Sequence, residues 1–263
     1  MRQPSNRSST KAIMRFTRSG DYKLPSPLYC FTGNVLLRMA KWEPAALRER
    51  FIRSRSYYQV FSETEIGDHE GLSIKKWEAM RMPANLKGKS VLDIGCSEGF
   101  FCRQCARLGA GPVTGMDTSL GRLMCASFIA LREGLDIRYR MGVFPAGVPS
   151  VRYDYVLCLS VLHHSLAKKD VWKVLTRDEY ANDLRTLRDQ FQILRSLTAE
   201  KGSSVIEMPY EYDDPAERKE VDFELFNAEL TKAGFARSRR LGSWEYNPKF
   251  QHLKDRVIYV AEA

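Results

Sequence analysis

The pattern of hydrophobic and polar positions changes near residue 88. Downstream of it, short apolar runs alternate with longer stretches whose apolar residues recur every three or four positions. Apolar runs of this length predict buried β-strands, and the three-to-four spacing predicts amphipathic helices. The predicted strands are KSVLDIG, GPVTGMD, IRYRMGV, DYVLCLS and SSVIEMP. The predicted helices are FFCRQCARLGA, SLGRLMCASFIALREGLD, ANDLRTLRDQFQILRSL and DFELFNAELTKAGF, with Gly109, Gly134 and Gly234 ending three of them.

Alternating strands and helices predict an α/β fold in which a mostly parallel, doubly wound sheet is covered by helices on both faces. The last two predicted strands, ARSRRLGSW and DRVIYVAEA, have no helix between them. We therefore expect them to pair as an antiparallel hairpin at one edge of the sheet.

The chain upstream of this pattern is helical in character. EPAALRERFIRSRSYYQVF has Pro44 near a helix start and places Leu47 and Phe51 four residues apart, and SIKKWEAMRMPANL ends before Pro83. We expect residues 24–85 to form a helical cap that helps to select the molecule on which the protein acts. Residues 1–23 are rich in serine and arginine, with Asp21 as their first acid, and are expected to be a mobile basic tail.

The segment VLDIGCSEGFF contains Gly95-Cys96-Ser97-Glu98-Gly99, which matches the G-x-S-x-G elbow of serine hydrolases. It also fits a glycine turn that brings backbone N–H groups and a helix N-terminus close to a cofactor. Asp117 closes the second predicted strand, where a carboxylate can accept hydrogen bonds from a ribose diol. A dinucleotide is disfavoured, because Ser97 and Phe100 stand where its G-x-G-x-x-G motif has glycines. Asp93 would repel a pyrophosphate and suits a cofactor with an ammonium group.

Taken in order, VLDIGCSEGFF, VTGMD, DYVLCLSVLHH and GSSVIEMP resemble the class I S-adenosylmethionine-dependent methyltransferases. The resemblance covers residues 86–263. It implies a Rossmann-like, seven-stranded sheet whose last hairpin contributes a reversed strand at the edge, and S-adenosyl-L-methionine as cofactor. The narrower stretches Trp77…LKGKSVLDIGC and GFF…GA…VTGMD are similar to enzymes that carboxymethylate the wobble uridine of tRNA, and to sugar and natural-product methyltransferases.

The resemblance also implies a role for individual residues. The methionine end would lie at Asp93 and the Gly95–Gly99 loop, and the ribose at Asp117 with Thr118. Where many members carry an acid near the adenine, this chain has Gly142-Val143, so we expect backbone groups and apolar contacts there. The implied cofactor residues are Asp93, Gly95, Cys96, Ser97, Gly99, Asp117, Thr118, Gly142, Val143, Leu159 and Ser160.

Residues for the acceptor follow the fourth and fifth strands. His163 and His164 lie at the expected rim, where an imidazole could take a proton from a hydroxyl or amine, or could instead serve the local structure. Glu207 and Tyr210 could bind an acceptor or form a solvated loop. Residues 165–180 are an insertion expected to act as a lid. The aromatic candidates for stacking on an acceptor, or for ordinary packing, are Tyr57, Tyr58, Trp77 and Trp172.

Composition narrows the class of protein. The chain has a net charge of +9, six cysteines in mostly apolar stretches, and no apolar run long enough to span a membrane. These features predict a reduced, cytoplasmic protein without a metal site, since Cys102-x-x-Cys105 lacks a matching second pair. The leading hypothesis is methyl transfer to oxygen or nitrogen of a small molecule, such as a sugar or secondary metabolite. An RNA-modifying transferase, which would use the basic charge, and a non-catalytic cofactor-binding protein are the alternatives.

Overall fold

The structure is a computed structural model, and it describes residues 27–39, 42–53, 72–162, 181–209, 211–214, 217–220, 223–245 and 255–263. The predicted basic tail at 1–23 and the predicted lid at 165–180 lie outside the described residues. Among the residues described, no helix is both long and apolar enough to cross a bilayer.

Seven strands form one sheet in the order β3-β2-β1-β4-β5-β9-β8. The first five strands are parallel to one another. Every residue of β1 is buried, as expected for a central strand with helices on both faces. The strands of the sheet are β1 Val91–Ile94, β2 Val113–Asp117, β3 Ile137–Met141, β4 Tyr153–Leu159, β5 Thr198–Pro209, β8 Arg237–Glu245 and β9 Asp255–Glu262.

The last two strands form the expected antiparallel hairpin at the edge of the sheet. Strand β9 also pairs antiparallel with β5, so the reversed strand is inserted between β5 and the outermost strand β8. The predicted α/β, doubly wound, seven-stranded fold is therefore confirmed. A separate two-stranded ribbon, β6 (Glu211–Asp214) with β7 (Glu217–Glu220), lies in a stretch to which the sequence pattern assigned no helix or strand.

Seven described helices accompany the sheet: α1 Pro27–Met39, α2 Ala45–Arg53, α3 Leu72–Met80, α4 Phe100–Arg107, α5 Leu120–Arg132, α6 Ala181–Leu197 and α7 Phe223–Lys232. Helices α6 and α7 cover one face, where Phe191 and Phe226 pack in the same apolar cluster as Tyr259 of β9. Helices α4 and α5 cover the other face through residues such as Phe101 and Leu123. The predicted helix ends at Gly134 and Gly234 have φ of 68° and 96°, a left-handed conformation that glycine adopts at low cost.

The N-terminal helices pack against the sheet at two separate places. Helix α1 lies against β3, where the amide of Asn34 bonds both backbone groups of Met141, accepting from its N–H at 2.7 Å and donating to its carbonyl at 3.3 Å. Helix α3 lies against β8 and α4. The division of the chain at residues 23 and 85 stays a prediction.

Helix α2 packs differently from the expected pattern. Leu47 and Phe51 were expected to share an apolar face, but the Leu47 side chain is 53% exposed, whereas Ile52 is fully buried. The Phe51 ring meets the edge of Phe128 on α5, with ring centroids 5.4 Å apart. The helix is therefore rotated so that positions 51 and 52 contact α5, and Leu47 faces outward.

Candidate functional site

The strand order reverses between β1 and β4. From β1 the chain adds β2 and β3 on one side, and then β4 and β5 on the other. The carboxyl ends of β1 and β4 meet there, with Ile94 paired to Cys158. In open parallel sheets, ligands bind in the crevice outside the strand ends at this reversal.

The loop after β1 has a shape that depends on glycine. The amides of Gly95 and Cys96 both donate to the carbonyl of Met116, at 2.7 and 3.0 Å, which folds the loop over β2. Gly95 and Gly99 have φ of 74° and 76°. A Cβ on Gly95 would lie 2.5 Å from Val161 Cγ2, so both the backbone conformation and the available space require glycine. Helix α4 begins directly after this loop, and its N-terminus therefore faces the crevice.

Asp117, at the end of β2, connects the loop after β1 to the loop after β2 through hydrogen bonds. Its Oδ2 accepts from the amide of Ser97 at 2.9 Å, and its Oδ1 accepts from the amide of Ser119 at 2.8 Å. Burial raises the pKa of the Asp117 carboxyl, and the two backbone amides lower it. Each carboxylate oxygen can accept more than one hydrogen bond, so the group could hold the loop and also accept from two hydroxyls.

Asp93 is a buried carboxyl beneath the same loop, 1% exposed. The thiol of Cys102 on α4 donates to its Oδ2 at 3.4 Å. The pKa of Asp93 is raised to about 7, chiefly by burial; the Cys102 hydrogen bond and the Lys76 ammonium act to lower it, and the nearby Asp117 carboxylate acts to raise it. A cation placed beside Asp93 would favour its ionised form.

The hydroxyl of Ser97 is engaged locally. It donates to Glu98 Oε2 at 2.7 Å, and the residue is 4% exposed. Ser97 has a φ of 51°, a conformation that an elbow serine would also need, but its hydroxyl is held by the adjacent carboxylate. The chain's four histidines, including His252, which could have served as its base, lie outside the described residues. The geometry favours a structural role for Ser97 within the cofactor loop.

The end of β3 closes beside Asp117. The amide of Gly142 donates to the carbonyl of Asp117 at 3.1 Å, and the amide of Gly147 donates to the carbonyl of Val143 at 2.5 Å. A Cβ on Gly142 would lie 2.7 Å from both the Gly147 carbonyl oxygen and Met116 Sδ. The structure therefore brings the predicted adenine and ribose positions to the same end of the sheet.

A buried ion pair at the ends of β4 and β5 was missed by the sequence analysis. Lys76 Nζ of α3 lies 2.8 Å from Glu207 Oε2. Ser160 accepts from Lys76 at 3.2 Å and donates to Glu207 Oε2 at 2.5 Å. The side chains of Lys76 and Glu207 are 8% and 0% exposed. Glu207, predicted to bind an acceptor or sit in a solvated loop, is therefore a buried residue of β5 that joins helix α3 to the crevice.

A signal for Lys76 was present in the sequence. The buried positions of α3 include Ser73, Lys76 and Met80, spaced three and four apart, with the half-buried Trp77 beside them. A lysine within the apolar stripe of a short helix is unusual, because a buried ammonium requires a partner. The position of that partner, more than a hundred residues away, could not be read from the pattern.

The remaining acceptor candidates divide into two groups. The indole of Trp77 lies against Phe101, with ring centroids 6.5 Å apart, which supports the packing interpretation left open by the sequence. The others lie outside the described residues and stay predictions: Tyr57, Tyr58, His163, His164, Trp172 and Tyr210. Among the cofactor candidates, Leu159 is buried, Ser160 is half-buried, and Thr118 is exposed directly after Asp117.

The chain is similar in sequence to known methyltransferases. Residues 91–178 match the family described as a methyltransferase domain. A ubiquinone biosynthesis O-methyltransferase of Maricaulis maris is 34% identical over 125 residues, which is 47% of this chain and 46% of the relative. A tRNA U34 carboxymethyltransferase of Campylobacter hominis is 27% identical over 148 residues, 55% of this chain and 46% of the relative. The matches thus span less than half the length of these relatives.

Two solved structures share the fold at low sequence identity. WbdD has a TM-score of 0.56 at 17% identity, covering 81% of this chain and 41% of that one. The N-terminal domain of EvdMO1, determined in the presence of SAH and D-fucose, has a TM-score of 0.53 at 16% identity, covering 83% of this chain and 96% of that one. These similarities concern the architecture of the sheet and its helices.

Proposed function

We propose that this chain, which has the fold of the class I S-adenosylmethionine-dependent methyltransferases and a methyltransferase domain at residues 91–178, transfers a methyl group to oxygen or nitrogen of a small molecule. The observation that carries the proposal is the glycine loop between Asp93 and Asp117 at the strand-order reversal. Both carboxylates and the loop lie at the carboxyl ends of β1 and β2.

The residues of the crevice fit S-adenosyl-L-methionine. Gly95 leaves the space that a side chain would fill, and the N-terminus of α4 favours the cofactor's carboxylate. Asp93 would bind the ammonium group, and Asp117 would accept from the ribose hydroxyls while holding Ser97. When bound, the cofactor supplies an electrophilic methyl group on a sulfonium. The protein's contribution is largely to align the acceptor with that methyl, and alignment of this kind is worth about 7–11 kcal/mol in favourable cases.

The N-terminal helices contact the sheet near the carboxyl ends of two strands. Helix α1 is bonded to Met141 at the carboxyl end of β3, and helix α3 is bonded to Glu207 near the carboxyl end of β5. These two contacts support the proposal that residues 24–85 form a cap at this edge. The insertion at 165–180 would complete the cap as a lid.

Relatives support two classes of acceptor. An O-methyltransferase of ubiquinone biosynthesis favours a small molecule. The tRNA U34 carboxymethyltransferases favour RNA as a second candidate, and the chain's net charge of +9 would assist RNA binding.

The test of the proposed function has two stages. Calorimetric titration with S-adenosylhomocysteine should show micromolar binding. Thermal unfolding should show that the bound molecule raises the melting temperature. Transfer of labelled methyl to a panel of hydroxylated and amino acceptors should then exceed transfer to bulk tRNA. Absence of cofactor binding would refute the proposal, and transfer to tRNA alone would establish the second candidate.

Binding of S-adenosylhomocysteine should weaken in acid because of Asp93. Its pKa of about 7 leaves it largely neutral in mildly acidic buffer, and a bound ammonium requires the ionised form. At a pH below the pKa of Asp93, part of the binding free energy is used to ionise its carboxyl group. The affinity should therefore rise about tenfold between about pH 5.5 and about pH 7. Calorimetry in buffers of different ionisation enthalpy would also detect proton release on binding.

The matched variants for this pH dependence are Asp93→Asn and Asp136→Asn. Asp93→Asn should bind more weakly and lose the rise in affinity. Asp136 is exposed before β3, and its variant should keep the wild-type profile. An unchanged profile in Asp93→Asn would assign the pH dependence to another group.

One of His163→Ala and His164→Ala should lower turnover by about 10²-fold or more, because a general base contributes about 10²–10⁴-fold when the acceptor must lose a proton. Cofactor affinity should change little, which separates a base from a cofactor ligand. His252→Ala provides the control, since His252 lies outside the predicted rim, cap and lid in the sequence. Near-normal rates in both variants across pH would mean that alignment alone drives transfer.

A further inference from the structure

Helix α1 is apolar on two opposite faces. Its inner face places Leu37 in the core and packs Cys30 against it. On the outer face, Phe31, Val35 and Met39 follow one another at four-residue intervals, and Phe31 and Met39 are 68% and 59% exposed. Trp42, three residues beyond the helix, is 87% exposed. A helix that is apolar around most of its circumference normally has a partner on each face.

The net charge of the chain is concentrated in the segment of the sequence that contains this helix. Residues 1–53 contain eleven lysines and arginines and three acids, a net of +8 out of the chain's +9. Within the described part of this segment, Arg38 of α1 and Arg50 of α2 are exposed. Of its acids, Glu49 lies 3.5 Å from Arg132, and Glu43 is exposed next to Trp42. The partner of the outer face must therefore accept apolar side chains and carry negative charge.

We propose that the outer face of α1, defined by Phe31, Val35, Met39 and Trp42, docks on the surface of an anionic phospholipid bilayer. Interfacial helices combine an apolar face, which enters the boundary between headgroups and acyl chains, with flanking basic residues that attract anionic lipid. A tryptophan at the end of the helix suits the same boundary, because its ring is apolar and its N–H is polar.

Other candidate partners of the outer face of α1 fit the positive charge of residues 1–53 less well. In a symmetric dimer through this face, the segment with a net of +8 would lie against its own copy, and like charges would oppose association. Residues 1–20 contain basic residues and no acid, so they would add to the positive charge rather than neutralise it. RNA would satisfy the arginines, but it would leave the aliphatic side chains of the outer face without apolar contact.

The test is co-sedimentation of the full chain with vesicles. We expect binding to vesicles that contain phosphatidylglycerol, little binding to pure phosphatidylcholine, and weakening with added salt. The triple variant Phe31→Ser/Met39→Ser/Trp42→Ser should lose at least about tenfold in vesicle affinity, since it removes three large apolar side chains that would enter the bilayer interface. Because the three side chains are exposed, the variant should fold, which circular dichroism and S-adenosylhomocysteine binding would verify.

The control is Ile74→Ser/Val151→Ser, which removes two exposed apolar side chains that are not on α1. It should sediment with vesicles as the wild type does. The proposal is overturned if the wild type ignores phosphatidylglycerol vesicles or if the triple variant binds them normally. It is also overturned if analytical ultracentrifugation shows a dimer that the triple variant dissociates, or if the variant loses affinity for RNA and not for vesicles.

Discussion

Replacing Lys76 by methionine is expected to lower the free energy of unfolding by about 3–5 kcal/mol at neutral pH, which is the usual cost of removing one partner from a buried ion pair. The reason is the position of Glu207, whose side chain is fully buried at the end of β5 and 2.8 Å from the Lys76 ammonium. Without the ammonium, the carboxylate keeps its bond from Ser160 but loses its compensating charge. Urea denaturation followed by circular dichroism would measure the change.

Two further variants separate the charge of Lys76 from its packing. Lys76→Met/Glu207→Gln removes both charges, so it should recover a large part of the lost stability, and the double-mutant cycle gives the coupling directly. Lys89→Met breaks a surface pair, in which Lys89 Nζ lies 3.1 Å from Asp154 Oδ1 and the lysine is 47% exposed, and should cost at most about 1 kcal/mol. Equal losses for Lys76→Met and Lys89→Met would contradict the buried-pair account.

Gly95→Leu is expected to lower the affinity for S-adenosylhomocysteine by about 10²-fold or more. At a φ of 74°, any side chain is strained, and here the first carbon already overlaps Val161. Displacing Val161, just beyond β4, would shift a wall of the crevice, and overpacking of this kind typically costs about 1–3 kcal/mol. Isothermal calorimetry measures the affinity, with circular dichroism to establish that the sheet is intact.

Gly134→Leu is the matched control for backbone strain. Gly134 has a similar φ of 68°, but a Cβ there would meet nothing within 4 Å. It should lose about 1–2 kcal/mol of stability through the left-handed conformation while binding normally. Ser97→Ala should bind and turn over nearly as the wild type. Retained binding in Gly95→Leu would place the cofactor elsewhere, and an esterase activity abolished by Ser97→Ala would restore the hydrolase interpretation.

The sequence by itself predicted most of the sheet and the glycine loop that follows β1. Strands β1 and β4 contain short apolar runs, and the spacing of apolar residues in α5 and α6 is helical, so short-range patterns were enough to predict these elements. The glycine loop was equally local, because Gly95 and Gly99 carry the positive φ angles that only a few residue types tolerate. Asp93 and Asp117 could be assigned to the crevice, since each lies at or near the carboxyl end of a predicted strand.

Tertiary structure decided which side chains meet across long separations. The pairing of Lys76 with Glu207 joins residues 131 positions apart, and nothing in either local pattern specifies the other. The same holds for Asn34, which bonds Met141 at the edge of the sheet, and for the rotation of α2 that buries Ile52 and exposes Leu47. Local patterns report how a segment buries its own apolar side. The partner of a buried charge, and the face that stays uncovered, depend on how the elements pack, and only the assembled fold specifies that packing.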